Sequence, residues 1–318
     1  MVDFIKQYQY PAIKNVLSMG HCAPTVACTL LQSQGIEDQR LIKLMAAMPG
    51  GIGSSGAECG GVTAPLMFLG LQFGYDLSEE NQVRVISLGQ SHLRAFERLH
   101  RTVLCREISA RGVLYPCLKA IYTAPGLVLG TMDELARRDP YVGMTPATVD
   151  VLREFNARDF HCCHSVLRLL DDGAPVDETL LRASWGFLGG TALRRLTCGG
   201  LTAGVMAIGL ALGQIEDRPH KVIQMIGLLV SGGDAMRDDV NRFNPCINTS
   251  HELVSWFEET FGSSQCRDLI ESSASDPQPW STYLAQDRMD HCRVIAYRTA
   301  EKVREILGGD AGGSLDAT

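Results

Sequence analysis

The chain has 318 residues, of which 45% are hydrophobic and 20% charged, and a formal net charge of -7; this leaves room for about two ordinary domains with real cores. The negative balance, with no long basic run, argues against nucleic acid or an anionic membrane surface as a partner. Eleven cysteines are many for a chain that reads as cytoplasmic, and their odd number excludes a fully paired disulfide framework.

The first residues, MVDFIKQYQY, place Asp3 early and lack a continuous apolar core, so they do not read as a signal peptide. Asp3 to Leu17 reads as a first helix, interrupted at Pro11. Cys22 to Gln34 follows as an apolar helix stopped by Gly35. Glu37 to Met48 carries Leu41, Ile42, Leu44, Met45 and Met48 at helical spacing. The loop PGGIGSSGAE then leads to Cys59. It spells G-x-G-x-x-G at Gly51, Gly53 and Gly56, but a dinucleotide site needs a preceding strand and the residues before this one are helix-patterned. It is read as a tight link between helices.

Cys59 opens a helix reaching Gly74, Ser78 to Leu104 is a long helix, and Cys105 begins a short segment containing Cys117. Proline, glycine and charge concentrate from Ala124 to Met144, which marks a linker. Thr145-Pro146 looks like a helix start. Further helices are expected over Cys162 to Leu170, Asp177 to Phe187, Cys198 to Leu212, from His220, over Ser250 to Phe261 and over Ser281 to Leu307. An insertion, Gly232 to Thr249, carries Cys246 in a turn-like RFNPCINTS, and residues 311–318 form a flexible tail. The longest uncharged run, Thr197 to Ile215, is rich in Gly, Ala and Thr and reads as a buried helix, so no membrane insertion is expected. Strand alternation is scarce, and the fold class is all-α.

The chain contains itself twice. ECGGVTAPLMFLGLQFG (Glu58 to Gly74) returns as TCGGLTAGVMAIGLALG (Thr197 to Gly213) without a gap, and Gly50-Gly51 matches Gly189-Gly190 at the same offset. His21-Cys22 matches His161-Cys162, and the CREI at Cys105 matches the CRDL at Cys266. Two similar helical modules from an internal duplication are therefore expected, over residues 1–140 and 146–310. The repeat also sorts the cysteines. Cys22/Cys162, Cys59/Cys198 and Cys105/Cys266 recur, Cys117/Cys292 is a looser pair, and Cys28, Cys163 and Cys246 have no counterpart. A lone buried cysteine is usually apolar filler, whereas the recurring ones are candidates for chemistry. Cys59 and Cys198 stand at helix N-termini, which favour a thiolate, and His21 and His161 adjoin the first cysteine of each copy, where they could lower its pKa or supply a ligand nitrogen.

HCAPTVACTLL, GGIGSSGAECGGVTAPLMFLGLQFG and CREI, and then HCC, TCGGLTAGVMAIGLALG, CRDLI and HCRVIAYRTAEKVREIL, resemble two units of the C-GCAxxG-C-C family of redox-active proteins. At the third and sixth positions of the glycine motif this chain exchanges small residues, so helix packing should survive. The resemblance implies redox activity. The active set it suggests is Cys22, Cys59, Cys105, Cys162, Cys198, Cys266 and Cys292, cycling between dithiol and disulfide or transferring electrons with a redox partner protein or small thiol. The same thiolates suit an iron-sulfur cluster or zinc, with Cys162, Cys198, Cys266 and Cys292 as ligands and His161 and Cys117 as further candidates. A different class is a non-catalytic helical interaction protein with structural cysteines. Enzyme or not, cofactor and oligomeric state stay open. Cys117 precedes a Pro- and Gly-containing stretch, so the fuller site is expected in module two, with Cys198→Ser costing more than Cys59→Ser.

Overall fold

The computed structural model describes residues 2–74, 78–109, 114–136, 138–171, 176–214, 220, 222–223, 245–271 and 279–310. Among these residues the chain is helical throughout, with no strand beyond two isolated bridges. No helix among them is long and apolar enough to cross a membrane.

The first module comprises α1 (Val2–Met19), α2 (Cys22–Ser33), α3 (Gln39–Leu44), α4 (Gly60–Phe73), α5 (Glu79–His100), α6 (Cys105–Ser109) and α7 (Leu114–Leu135). The second has α8 (Pro146–Ala157), α9 (Cys162–Leu169), α10 (Glu178–Ser184) with a 3-10 turn Trp185–Phe187, and α11 (Gly199–Leu212), followed by α12 (Pro245–Phe261), α13 (Cys266–Leu269), α14 (Pro279–Ala285) and α15 (Met289–Asp310). The pattern matches the duplication helix for helix, from α2/α9 to α7/α15, with α14 as an addition to the second copy.

At the centre of each module lies the glycine-rich helix. α4 and α11 are apolar on every face, and Gly60 through Leu71 and Gly199 through Gly209 are buried, as expected of a helix surrounded by others. Around α4 pack α2, α5 and α7; around α11 pack α9, α12 and α15. α5 shows why such a sequence forms an outer helix. Ser78 caps its start by accepting from the Asn81 N–H at 3.4 Å, Arg101 ends it in the left-handed region (φ 70°), and Val83, Ile86, Leu93 and Phe96 line one buried face.

Several sequence expectations are corrected. α1 runs through Pro11 without interruption, losing only the hydrogen bond that a prolyl nitrogen cannot make. The stretch expected to be a linker from Ala124 is helical as far as Leu135, within α7. Its Gly126 is there for packing, since a Cβ would lie 2.5 Å from the Ile5 nitrogen on α1. Cys117 consequently rides a 22-residue helix, as Cys292 does on α15. Cys246 lies in the first turn of α12, not in a loop. The segment from Ser281 is two helices, α14 and α15. Most of the helix expected from His220, most of the insertion and the 311–318 tail lie outside the described residues.

The modules meet through reciprocal contacts, each made twice. The absent side chain of Gly70 makes room for the Arg182 carbonyl of α10, and that of Gly209 makes room for the Lys43 carbonyl of α3, where a Cβ would lie at 2.7 Å. Gln90 Nε2 donates to the Ala192 carbonyl at 3.1 Å, and His251 Nδ1 lies 3.1 Å from the Gly53 carbonyl. These pairs are equivalent in the repeat, so the chain is a covalently joined pair of modules about a pseudo-two-fold axis, with the self-complementary interface that such symmetry requires. Near that axis Glu58 meets its own repeat counterpart. The Thr197 hydroxyl donates to its Oε2 at 2.6 Å, the Thr197 N–H to its Oε1 at 3.2 Å, and the Thr191 hydroxyl also donates to Oε1, all fully buried.

A buried donor left without its acceptor costs about 1–3 kcal/mol, so Glu58→Ala should lower the unfolding free energy by about 3 kcal/mol, with Glu58→Gln losing less. Denaturant titration checks this, and a loss for Glu58→Ala below about 1 kcal/mol would show that the carboxyl group does not hold the interface.

Candidate functional site

Three devices bring the recurring cysteines together, and each occurs twice. The first is a left-handed turn. Gly50, Gly51, Ile52, Gly53, Ser54 and Gly56 all have positive φ, and so do Gly189, Gly190, Thr191, Ala192, Leu193 and Arg195 at the equivalent positions. The second is the bridge that follows the turn: Glu58 pairs with Leu104, and Thr197 with Gln265. In this bridge Cys59 N donates to Val103 O at 2.9 Å and Cys105 N to Ala57 O at 2.7 Å. The second module repeats it with Cys198 N to Ser264 O at 2.9 Å and Cys266 N to Leu196 O at 2.6 Å. The third is the bare face of the central helix. A Cβ on Gly60 would lie 2.7 Å from Cys22 Sγ, and one on Gly199 would collide with Cys162 Sγ and lie 3.1 Å from Cys163 Sγ.

The result is two groups of four. Each thiol of Cys22, Cys59, Cys105 and Cys117 lies within electrostatic reach of the other three. The same holds for Cys162, Cys198, Cys266 and Cys292. In module two they surround an apolar cavity of about 30 Å³ walled by Phe155, Phe160, Trp280, Tyr283 and Ile295. The structure thus brings together all seven cysteines expected from the sequence and, with them, Cys117, the looser candidate. Module one, where the fourth cysteine was in doubt, also gathers four thiols, because Cys117 has its long helix. Cys28 and Cys246 are buried in the core and belong to neither set.

Burial dominates the acidity of these thiols. Desolvation first, and the neighbouring sulfurs second, push Cys59 and Cys266 well above the ordinary thiol range and raise Cys105. Desolvation also lifts Cys117 to about 11, and Cys198 and Cys292 to about 12. Backbone N–H groups oppose this. Those of Ala23, Gly60 and Gly50 point at Cys22, whose thiol is still raised by burial, that of Gly61 at Cys59, and those of Leu201 and Gly200 at Cys198.

Cys162 alone among the eight is lowered. The Cys163 thiol donates to it, with the N–H groups of Gly189, Cys163 and Cys162 adding to the effect. That thiol also has the Gly199 carbonyl within 3.1 Å as a second acceptor. Module one has Ala23 where module two has Cys163, which explains why Cys22 does not share the shift.

The histidines do not activate the thiols as expected. Burial lowers His21 to about 4 and holds His161 well below the usual imidazole range, and His161 stacks on His164 at 3.9 Å, so both first-cysteine neighbours are neutral imidazoles at physiological pH. His161 instead caps α9, its Nδ1 accepting from the His164 N–H at 3.3 Å. Among the described residues, the one group of three candidate ligand atoms lying within 4.8 Å of one another is His161, Cys162 and Cys163. Sequence reasoning missed Tyr283, whose hydroxyl donates to Cys292 Sγ at 3.7 Å. No repeat counterpart flags it, because it belongs to the added helix α14.

The family described as Putative redox-active protein (C_GCAxxG_C_C) matches the chain twice, over residues 20–128 and 160–306. No curated protein and no solved structure matches it.

A lowered thiol holds more thiolate at a given pH, and the thiolate is the nucleophile. In the metal-free, reduced and folded chain, iodoacetamide at pH 8 should therefore modify Cys162 first, as read by peptide mass mapping, and Cys163→Ala should remove that lead. Equal rates at Cys162 and Cys22 in the unsubstituted chain would refute the role given to Cys163.

Proposed function

The chain belongs to the C_GCAxxG_C_C family through both halves of its sequence, and from that premise we propose that it is a two-centre redox protein. In this reading Cys22, Cys59, Cys105 and Cys117 hold one iron-sulfur cluster, and Cys162, Cys198, Cys266 and Cys292 hold a second.

The observation that carries the proposal is the convergence of four buried thiols in each module, every one within reach of the other three. Four thiolates are the ordinary complement of such a cluster. Metal ligation displaces the thiol protons, so raised pKa values do not oppose it as they oppose attack on an external disulfide. Spacing counts against a single tetrahedral ion. A tetrahedral zinc-tetrathiolate holds its sulfurs about 3.8 Å apart, whereas in neither set do three sulfurs lie within 4.8 Å of one another. Zinc also has no redox chemistry, while the family is described as redox-active.

The residues present fit the group. Thiols point inward from four separate segments of each module, and the N–H groups of Gly60, Gly61, Gly50, Gly200 and Leu201 point at the sulfurs. The wall of the second site is aromatic and aliphatic. When bound, a cluster would supply one-electron transfer. The chain's own part is to hold the sulfurs, donate hydrogen bonds to them and exclude water, the levers that set a cluster's potential. A redox protein is the natural electron partner, and an odd number of cysteines, eleven, suits a reducing, cytoplasmic compartment better than a paired disulfide framework.

A second reading, dithiol-disulfide exchange with a small thiol or protein, is favoured by one observation: Cys162 is a lowered thiol among other sulfurs in module two.

Anaerobic purification should give a coloured chain whose visible absorption bleaches on reduction and which carries iron and acid-labile sulfide. Cys59→Ser and Cys198→Ser should each remove about half of the iron, because a hydroxyl is a far weaker acid than a thiol at nearly the same size. A colourless chain that forms disulfides reversibly inside the sets would decide for the second reading, and one containing only zinc would reject both.

A further inference from the structure

The two centres have the same cysteines but different roofs. In module one the segment carrying the third cysteine, α6, ends at Ser109, and α7 with Cys117 begins at Leu114. In module two the chain between α13 and α15 is longer and includes α14, Pro279–Ala285. That helix places two aromatic side chains over the second sulfur group. Trp280 is 5% exposed and Tyr283 2% exposed, and both wall the cavity that Cys162, Cys198, Cys266 and Cys292 surround.

Their positions are fixed. Trp280 Nε1 donates to the Leu193 carbonyl at 3.3 Å, which ties α14 to the left-handed turn, and the Trp280 ring meets Tyr283 edge-on at a centroid distance of 5.7 Å. Tyr283 also meets Phe155 of α8 edge-on at 5.9 Å. Held on both sides, the Tyr283 hydroxyl reaches Cys292 Sγ at 3.7 Å and donates to it. A buried phenol hydroxyl needs a partner, and this one has a sulfur of the site.

We propose that Tyr283 is a positioning residue that makes the second centre chemically unlike the first, by donating a hydrogen bond to Cys292 and so raising the reduction potential of the centre that Cys292 helps to hold. The inference rests on the cluster reading above and deepens it. Reduction adds negative charge to a thiolate-bound centre, and a donor aimed at a ligand sulfur stabilises that added charge. Among the described residues module one has no helix equivalent to α14, and its hydroxyl donor is a different one, Ser109 beside Cys105. The two centres thus differ in which sulfur receives a hydroxyl, Cys292 from Tyr283 in the second and Cys105 from Ser109 in the first.

The test uses the full-length chain, purified anaerobically, with one centre removed at a time. In the Cys59→Ser background only the second centre remains, and adding Tyr283→Phe should lower its midpoint potential in a spectroelectrochemical titration. In the Cys198→Ser background only the first centre remains, and Tyr283→Phe should leave its midpoint where it was. Phenylalanine keeps the ring and its edge-on contacts, so a purely structural role for Tyr283 would move neither midpoint. Intact visible spectra with no downward shift in the second centre would overturn the proposal while leaving the cluster reading standing. Loss of the second centre's iron on Tyr283→Phe would overturn it as well, by showing that the side chain assembles the site rather than tunes it. Failure of the unsubstituted chain to show iron and visible absorption would instead be the failure of the cluster reading.

Discussion

Everything at the two sulfur groups depends on a run of backbone held in the left-handed region. For a residue with a side chain this conformation costs about 1–2 kcal/mol, and module two places Thr191, Ala192, Leu193 and Arg195 in it. Such strain survives only where the surroundings over-determine it. Here the turn closes on itself, Gly56 N donating to Gly50 O at 2.9 Å and Arg195 N to Gly189 O at 3.1 Å. Reversing the chain's hand points the Gly50 and Gly189 N–H groups at Cys22 and Cys162. It also brings Gly51 and Gly190 so close to Cys105 and Cys266 that a Cβ would lie 2.8 and 2.6 Å from the cysteine Cβ atoms. Glycine is required at these two positions by both conformation and space. The bridge to the third cysteine and the start of the central helix follow directly from where the turn leaves the chain.

The duplication explains why the same turn can be built from different residues. Module one uses glycine at 53 and 56; module two has Ala192 and Arg195 there with the same sign of φ. What compensates is the interface. The Ala192 carbonyl accepts from Gln90 and the Thr191 hydroxyl donates to Glu58, both from the other module. Each module's turn is therefore braced by its neighbour, and the Glu58 to Thr197 contact lies one residue before Cys59 and Cys198. Stability and site geometry share these interactions, so weakening the interface should loosen the sulfur groups as well.

Much of this was legible in the sequence, and for a physical reason. The duplication acts as an internal comparison, so Cys22/Cys162, Cys59/Cys198 and Cys105/Cys266 could be separated from Cys28 and Cys246, and the all-α class followed from helical periodicity. What the sequence hid came from tertiary context. Pro125 and Gly126 look like linker residues by local propensity, yet α7 keeps them buried because Gly126 lets α1 approach. Pro11 likewise fails to stop α1. The literal G-x-G-x-x-G was rightly set aside, but the reason offered, a simple link between helices, understates it: those glycines make the left-handed turn. The histidines at 21 and 161 could not be judged without their burial, which removes the charge that would have activated the thiols.

The electrostatics of the sets carry the argument one step further. In water a cysteine ionises near pH 8.5, but four thiols facing one another in an apolar shell each make ionisation of the others harder, and Cys59, Cys105, Cys198 and Cys266 all show it. A protein using these sulfurs only as packing would gain nothing from turning them toward each other, since any small apolar side chain fills space as well. Nor would it aim backbone N–H groups at them, because a neutral thiol is a weak acceptor. The N–H groups of Gly61 and Gly200, in the first turns of the central helices, are arranged for negative sulfur. That arrangement, with neighbouring sulfurs within reach of one another in each group, speaks for chemistry at these thiols rather than packing alone.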